Sequence, residues 1–315
     1  LGGGVLGALA LVLLPACRST FTVPAEPVLS AASDTFYGAW NDQRVGTSPS
    51  GSNLPASAEA AAQRAAALDT EWIAPARFLD EFVHRGALTL PGRYGRYLTA
   101  AEDSTLPRAA RAKGSYLAGR LGGDSGDRRL ERSVELDPAL GWAWHGIGWR
   151  AFSSGKIRKA IWAGERAVDF ARDAHELAHF ASALARYYSG DERNGSAQRA
   201  LGGALTEPAP LALRPGEVAR LRAELSELEL ASLNTAEVRR GVQRALEVLR
   251  TRGLTLPERL SLIVALSNGP VRSGAVAREE IAYSALKGAE AVRAGSSSPG
   301  PSRSPGSSGG SDALV

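Results

Sequence analysis

The chain has 315 residues, 44% of them hydrophobic and 22% charged, and its 37 basic against 33 acidic residues leave a net charge of +4. That apolar content is enough to bury a core, which excludes disorder along the whole length. Lysine occurs only at Lys113, Lys156, Lys159 and Lys287, and arginine supplies the remaining positive charge. No continuous basic stripe of the kind that grips nucleic acid is visible, so nucleic acid is not expected as a partner. The arginines at Arg128, Arg129, Arg239 and Arg240 lie among acids on expected helices and read as solvated faces.

Leu1 to Leu14 is a run of apolar and small residues, too short to cross a bilayer as an ordinary helix and of the right length for the apolar part of a secretion signal. No Met occurs anywhere, and the numbering is expected to begin inside a longer precursor. The run ends in Leu14-Pro15-Ala16-Cys17, an aliphatic residue, a middle position, a small residue and the chain's one cysteine. This string resembles the lipobox of bacterial lipoproteins, with Pro15 a less usual middle residue. The resemblance implies that Cys17 is lipidated and becomes the mature N-terminus. Several acyl chains would then hold the protein stably on a membrane of the cell envelope, facing the periplasm or the exterior. Arg18 is not acidic, which in that family favours the outer membrane.

Residues 18–56 are rich in Ser, Pro and Gly and read as a tether, interrupted by the aromatic patch Phe36-Tyr37-Gly38-Ala39-Trp40. From Ser57 the composition turns to Ala, Leu, Glu and Arg, strong helix formers, and residues 57–294 are expected to form one helical domain. Helices are predicted at Ser57 to Leu68, Pro75 to His84, Leu106 to Leu121 and Asp127 to Leu136. Beyond a central hairpin, others are predicted at Glu217 to Leu233, Ala236 to Arg250, Pro257 to Ser267 and Ala275 to Ala294. Thr255-Leu256-Pro257-Glu258 carries a capping-box pattern with proline in the first turn, a helix start signal. No alternating run of β-branched residues argues for a sheet, and residues 295–315 read as a Ser/Pro/Gly tail.

The central hairpin spans Leu140 to Arg172. Trp144, Ile147, Gly148 and Ala151 mark its first helix, Gly155 the turn, and Ala160, Ala167 and Val168 the second. In that second helix Ile157, Ala160, Ile161, Gly164, Ala167, Val168 and Ala171 follow i, i+3, i+4, i+7, so one face is apolar or small throughout. Small residues let helices cross closely and large ones fill the space between. The pattern resembles the tetratricopeptide repeat, with Leu136-Asp137-Pro138 as the turn before it. Ala151 stands where that family favours an aromatic residue and Arg172 where it favours proline. A second copy follows 35 residues later, with His179-Phe180, Ala183 and a turn at Gly190-Asp191; its apolar stripe (Phe180, Leu184, Tyr187) suits a register one residue later. A degenerate copy precedes, at Tyr116 to Gly119 and Leu130 to Val134. The resemblance covers about residues 109–205 and implies an all-α, helix-turn-helix solenoid with additional C-terminal helices, acting as a protein-interaction adaptor without catalysis or cofactor.

One motif supports a competing chemistry. His175-Glu176-Leu177-Ala178-His179 is HExxH, by which zinc peptidases place two imidazoles on one helical face beside a water-activating glutamate. The alternative expectation is a membrane-anchored zinc metallopeptidase with His175 and His179 as ligands and Glu176 as base. Charged Arg172 and Asp173 before the motif, Gln198 or Arg199 where a third ligand would stand, and the absence of any His after His179 count against it. On a helical wheel His175 and His179 share a face with Ser182 and Arg186, opposite Leu177, Phe180, Leu184 and Tyr188, and that face reads as outward. Gly146-Ile147-Gly148-Trp149-Arg150-Ala151 fits a dinucleotide fingerprint without the strand it needs. Gly123-Asp124-Ser125-Gly126 reads as a turn between helices rather than a protease nucleophile loop. Four tryptophans, Trp142, Trp144, Trp149 and Trp162, fall in the hairpin. Trp142 and Trp149 lie off its packing stripe and are the candidate surface for a protein or peptide partner.

Overall fold

The structure, a computed structural model, describes residues 90–206, 213–251, 253–270, 274 and 276–296. The expected lipidation signal with Cys17, the expected tether, the helices predicted at 57–68 and 75–84, and the expected tail beyond Ser296 lie outside the described residues. Among those described there are eleven α-helices and no strand. They are α1 (Leu90–Glu102), α2 (Arg108–Leu121), α3 (Gly126–Leu136), α4 (Gly141–Ser153), α5 (Ile157–Asp169) and α6 (Ala174–Gly190). Then follow α7 (Asn194–Ala204), α8 (Pro215–Leu230), α9 (Thr235–Arg250), α10 (Leu256–Asn268) and α11 (Arg278–Ser296). None of them is long and apolar enough to cross a membrane.

From α1 to α9 each helix packs mainly on its neighbours in sequence, while α10 packs mainly on α8 and α11 on α9; α2, α4, α6 and α8 also touch one another in turn. The result is an all-α, solenoid-like array in which these four alternate helices lie side by side along one face. Its core falls into three clusters along the array, from Tyr97 in α1 to Ile281 in α11, with Trp142 and Phe180 in the first, Tyr187 and Leu201 in the middle one and Leu249 and Leu262 in the last.

The central hairpin forms as its periodicity demands. Ala160, Ile161, Gly164 and Ala167 of α5 are buried, whereas Ile157 and Val168 are half-buried. Gly155 ends the turn at φ +73°, a left-handed conformation that costs a side chain about 1 kcal/mol or more. The next turn departs from the predicted Gly190-Asp191. Gly190 is still helical, and the left-handed residue is Glu192 at φ +59°. The backbone bond from Lys156 N to the Ala151 carbonyl recurs as Arg193 N to the Tyr188 carbonyl. α6 therefore runs about one turn past the point where α4 stops, which accounts for the predicted period of 35 and the register conflict: matching the glycines aligned a turn with a helix.

Two further helices carry glycines that the sequence alone does not reconcile with packing. α1 was not predicted, because Leu90-Pro91-Gly92 and Gly95 are loop-forming residues; packing against α2 stabilises it, with Gly114 letting the two backbones approach. α7, rich in glycine, is nonetheless a regular helix with Ala197, Leu201 and Ala204 buried. At the far end the capping box is formed as predicted: Glu258 N donates to Thr255 Oγ1 at 3.3 Å and Thr255 N to Glu258 Oε2 at 2.7 Å. The Arg259 guanidinium donates to the Leu249 and Thr251 carbonyls, both at 2.7 Å, closing the end of α9, where a cation suits the helix dipole.

Candidate functional site

The alternate helices are joined by side-chain pairs at regular sequence spacing. Trp142 Nε1 of α4 donates to Glu176 Oε1 of α6 at 2.7 Å, and His145 Nε2 meets His179 Nε2 at 3.3 Å. Both pairs are 34 residues apart. Between α6 and α8 the spacing is 42: His175 Nδ1 lies 2.8 Å from Glu217 Oε2, and Ser182 Oγ donates to Glu224 Oε1 at 2.9 Å. The eight added residues come from the longer connection before α8 and the extra turn of α6, offset in part by an α7 shorter than α5.

This arrangement occupies every member of the HExxH motif. Glu176 is 1% exposed and accepts from Trp142 and from the Arg172 amide, the latter at 2.9 Å. It faces the α4–α6 junction, where a water-activating base would have to face a metal. Burial and the neighbouring Asp173 carboxylate push its carboxyl up to about 8, against the two N–H donors that favour ionisation. His175 is 5% exposed; the expectation of an outward, solvated face is corrected here, because α8 covers it. Burial raises Glu217, but the hydrogen bond and charge of His175 and the Arg214 amide outweigh that, and its carboxyl is held below the ordinary value. His179 turns instead to His145. Among the described residues no three His, Cys, Asp or Glu side chains are grouped to hold a metal ion.

The tryptophans divide. Trp142 is 2% exposed, packed edge-on against Phe180 at 5.0 Å and beside His179 at 5.2 Å, so the expected surface position is corrected to a core position. Trp144 and Trp162 meet edge to face at 4.9 Å, and Trp144 Nε1 donates to the Pro138 carbonyl. Trp149, 48% exposed, does reach a surface of interest.

That surface is a pocket of about 620 Å³ on the face formed by the alternate helices. Trp149 and His145 line it from α4 and His179 from α6. Arg120 of α2, Arg150 of α4, Arg186 of α6 and Arg220 of α8 also line it, and none of the lining residues is acidic. Arg150 is committed to Asp127 of α3 and to the carbonyl of Gly123, which lies in the short turn expected between α2 and α3. Arg220 approaches Glu224 only to 3.9 Å, and its Nε has no hydrogen-bond partner among the described residues. Arg186 is exposed and pairs with no carboxylate among the described residues.

Sequence reasoning identified Trp149 and missed the arginines. They are 30 or more residues apart, so no local charge run betrays them; the 34-residue spacing of His145 to His179 was the one available signal for this face. Chemically the pocket offers guanidinium and imidazole donors beside an exposed indole, a combination suited to holding a ligand by charge-assisted hydrogen bonds and apolar contact. Comparison of the chain with family models, with curated proteins and with solved structures finds no match to any of them.

Proposed function

We propose that this chain is a non-catalytic interaction adaptor of the cell envelope, built from tetratricopeptide-type repeats and anchored to a membrane through lipidated Cys17. It docks a peptide or protein segment in the pocket formed by α2, α4, α6 and α8. The observation that carries the reading is Trp149, half-exposed over a pocket to which four successive alternate helices contribute. A large exposed aromatic in a preformed groove is what binding hot spots are made of. The HExxH residues support the same reading, since their hydrogen bonds hold α4, α6 and α8 together and so shape the groove.

A photo-crosslinking amino acid placed at position 149, with position 166 on α5 as the control, tests it in membranes of the source cell. A discrete crosslinked protein from position 149 and none from position 166 is the expected result. Identical products from both positions, or none from 149, would overturn the proposal.

A further inference from the structure

We propose, resting on the groove reading above, that the docked segment is an acidic stretch of polypeptide. Its side-chain carboxylates pair with Arg186 and Arg220 while an apolar neighbour lies on Trp149. Four guanidinium groups from four helices converge on one pocket with no acidic residue in its lining. Like charges gathered around a low-dielectric hollow repel one another, and folding alone gains nothing from that convergence. Two of the four are incompletely matched: Arg186 has no ion pair among the described residues, and Arg220 keeps an unbonded Nε, with Glu224 at 3.9 Å already accepting from Ser182 and Glu217, which feels its charge, already bonded to His175. An incoming carboxylate matches the guanidinium fork in geometry and charge. His145 and His179, held against each other and against Trp142 and Phe180, add fixed imidazole edges to the same wall.

A polypeptide fits better than a nucleic-acid strand. The cations surround one pocket, whereas a strand would need them spaced along a track of phosphates.

The test is selection of a random 12-residue display library on the immobilised full chain at low salt, followed by fluorescence anisotropy with the enriched peptides. Enriched peptides should carry net negative charge. Their affinity should fall at least tenfold with Arg186→Glu, less with Arg186→Gln, and should weaken as salt rises. Peptides without acidic bias whose binding still depends on Trp149 would overturn this inference and leave the groove reading standing. Binding indifferent to both Trp149→Ala and Arg186→Glu would remove the groove reading itself. A single-stranded 20-mer oligonucleotide that binds the pocket more tightly than any enriched peptide would overturn the polypeptide assignment. Arg186 is an exposed side chain, so unchanged far-ultraviolet circular dichroism is expected in its variants and certifies the comparison.

Discussion

Replacing Trp142 with phenylalanine removes one hydrogen-bond donor at the junction of α4 and α6 and little else. The indole N–H donates at 2.7 Å to Glu176, whose side chain is 1% exposed. A hydrogen bond to a charged acceptor contributes about 1.5–3 kcal/mol, and leaving a buried carboxylate short of a donor is penalised similarly. The smaller ring adds a void worth roughly 1 kcal/mol, at about 24 cal/mol per Å³. The expected loss is about 3–4 kcal/mol where Glu176 is ionised. Because its carboxyl is raised from 4.5 to about 8, Glu176 is protonated in the fold at pH 6, and a neutral acceptor needs the donor less. There the loss should shrink to about 2 kcal/mol. The sign follows from linkage: a carboxyl raised by folding supports stability fully below its unfolded value, and that support is lost as pH rises through the folded one. Urea unfolding followed by far-ultraviolet circular dichroism at pH 6 and pH 9, with an unchanged denaturant slope, measures both values. A loss under 1 kcal/mol at pH 9, or one equal at the two pH values, would refute the account of this junction.

Glu217 shows the opposite linkage. Held below its ordinary 4.5 mainly by the His175 hydrogen bond and charge, against its own burial, it supports stability above about pH 4.5, and that support is lost as pH falls through its folded value. Urea midpoints between pH 6 and pH 3 should therefore decline, and Glu217→Gln should flatten that acid limb while lowering stability at pH 6; an acid limb unchanged by the substitution would disprove the assignment. Two glycine substitutions separate packing from propensity. A Cβ on Gly126 would overlap the Gly119 carbonyl oxygen where α2 and α3 cross, so Gly126→Ala should cost about 1–3 kcal/mol. Gly202, inside α7 with nothing within 4 Å of its added Cβ, should gain about 0.5–1 kcal/mol as alanine. Thermal melts of the two variants should shift in opposite directions, and a shift of the same sign in both would contradict the close approach at Gly126.

Several elements were legible because their causes are local. The i, i+3, i+4 run from Ile157 to Val168 makes α5 whatever surrounds it, and Ser154-Gly155-Lys156 must turn because only glycine takes the left-handed position cheaply. Thr255 and Glu258 close the first turn of α10 within four residues of each other. The HExxH string was equally visible, yet its meaning was not local. A helical wheel places His175, His179, Ser182 and Arg186 on one face of α6, and it cannot say that α8 buries His175 while α4 takes up His179.

Which helices stand beside one another is set by how successive hairpins stack, and that depends on crossings and on turns of unequal length. The extra turn by which α6 reaches Gly190 and the longer connection before α8 change the partner spacing from 34 to 42, and no periodicity in the chain announces either. Trp142 and Trp149 show the division most plainly. Both lie off the stripe that α4 presents to α5, as the sequence alone determined; the tertiary structure decided that α6 covers Trp142 through Glu176, while Trp149, two helical turns further along, stays open beside arginines brought together from four helices.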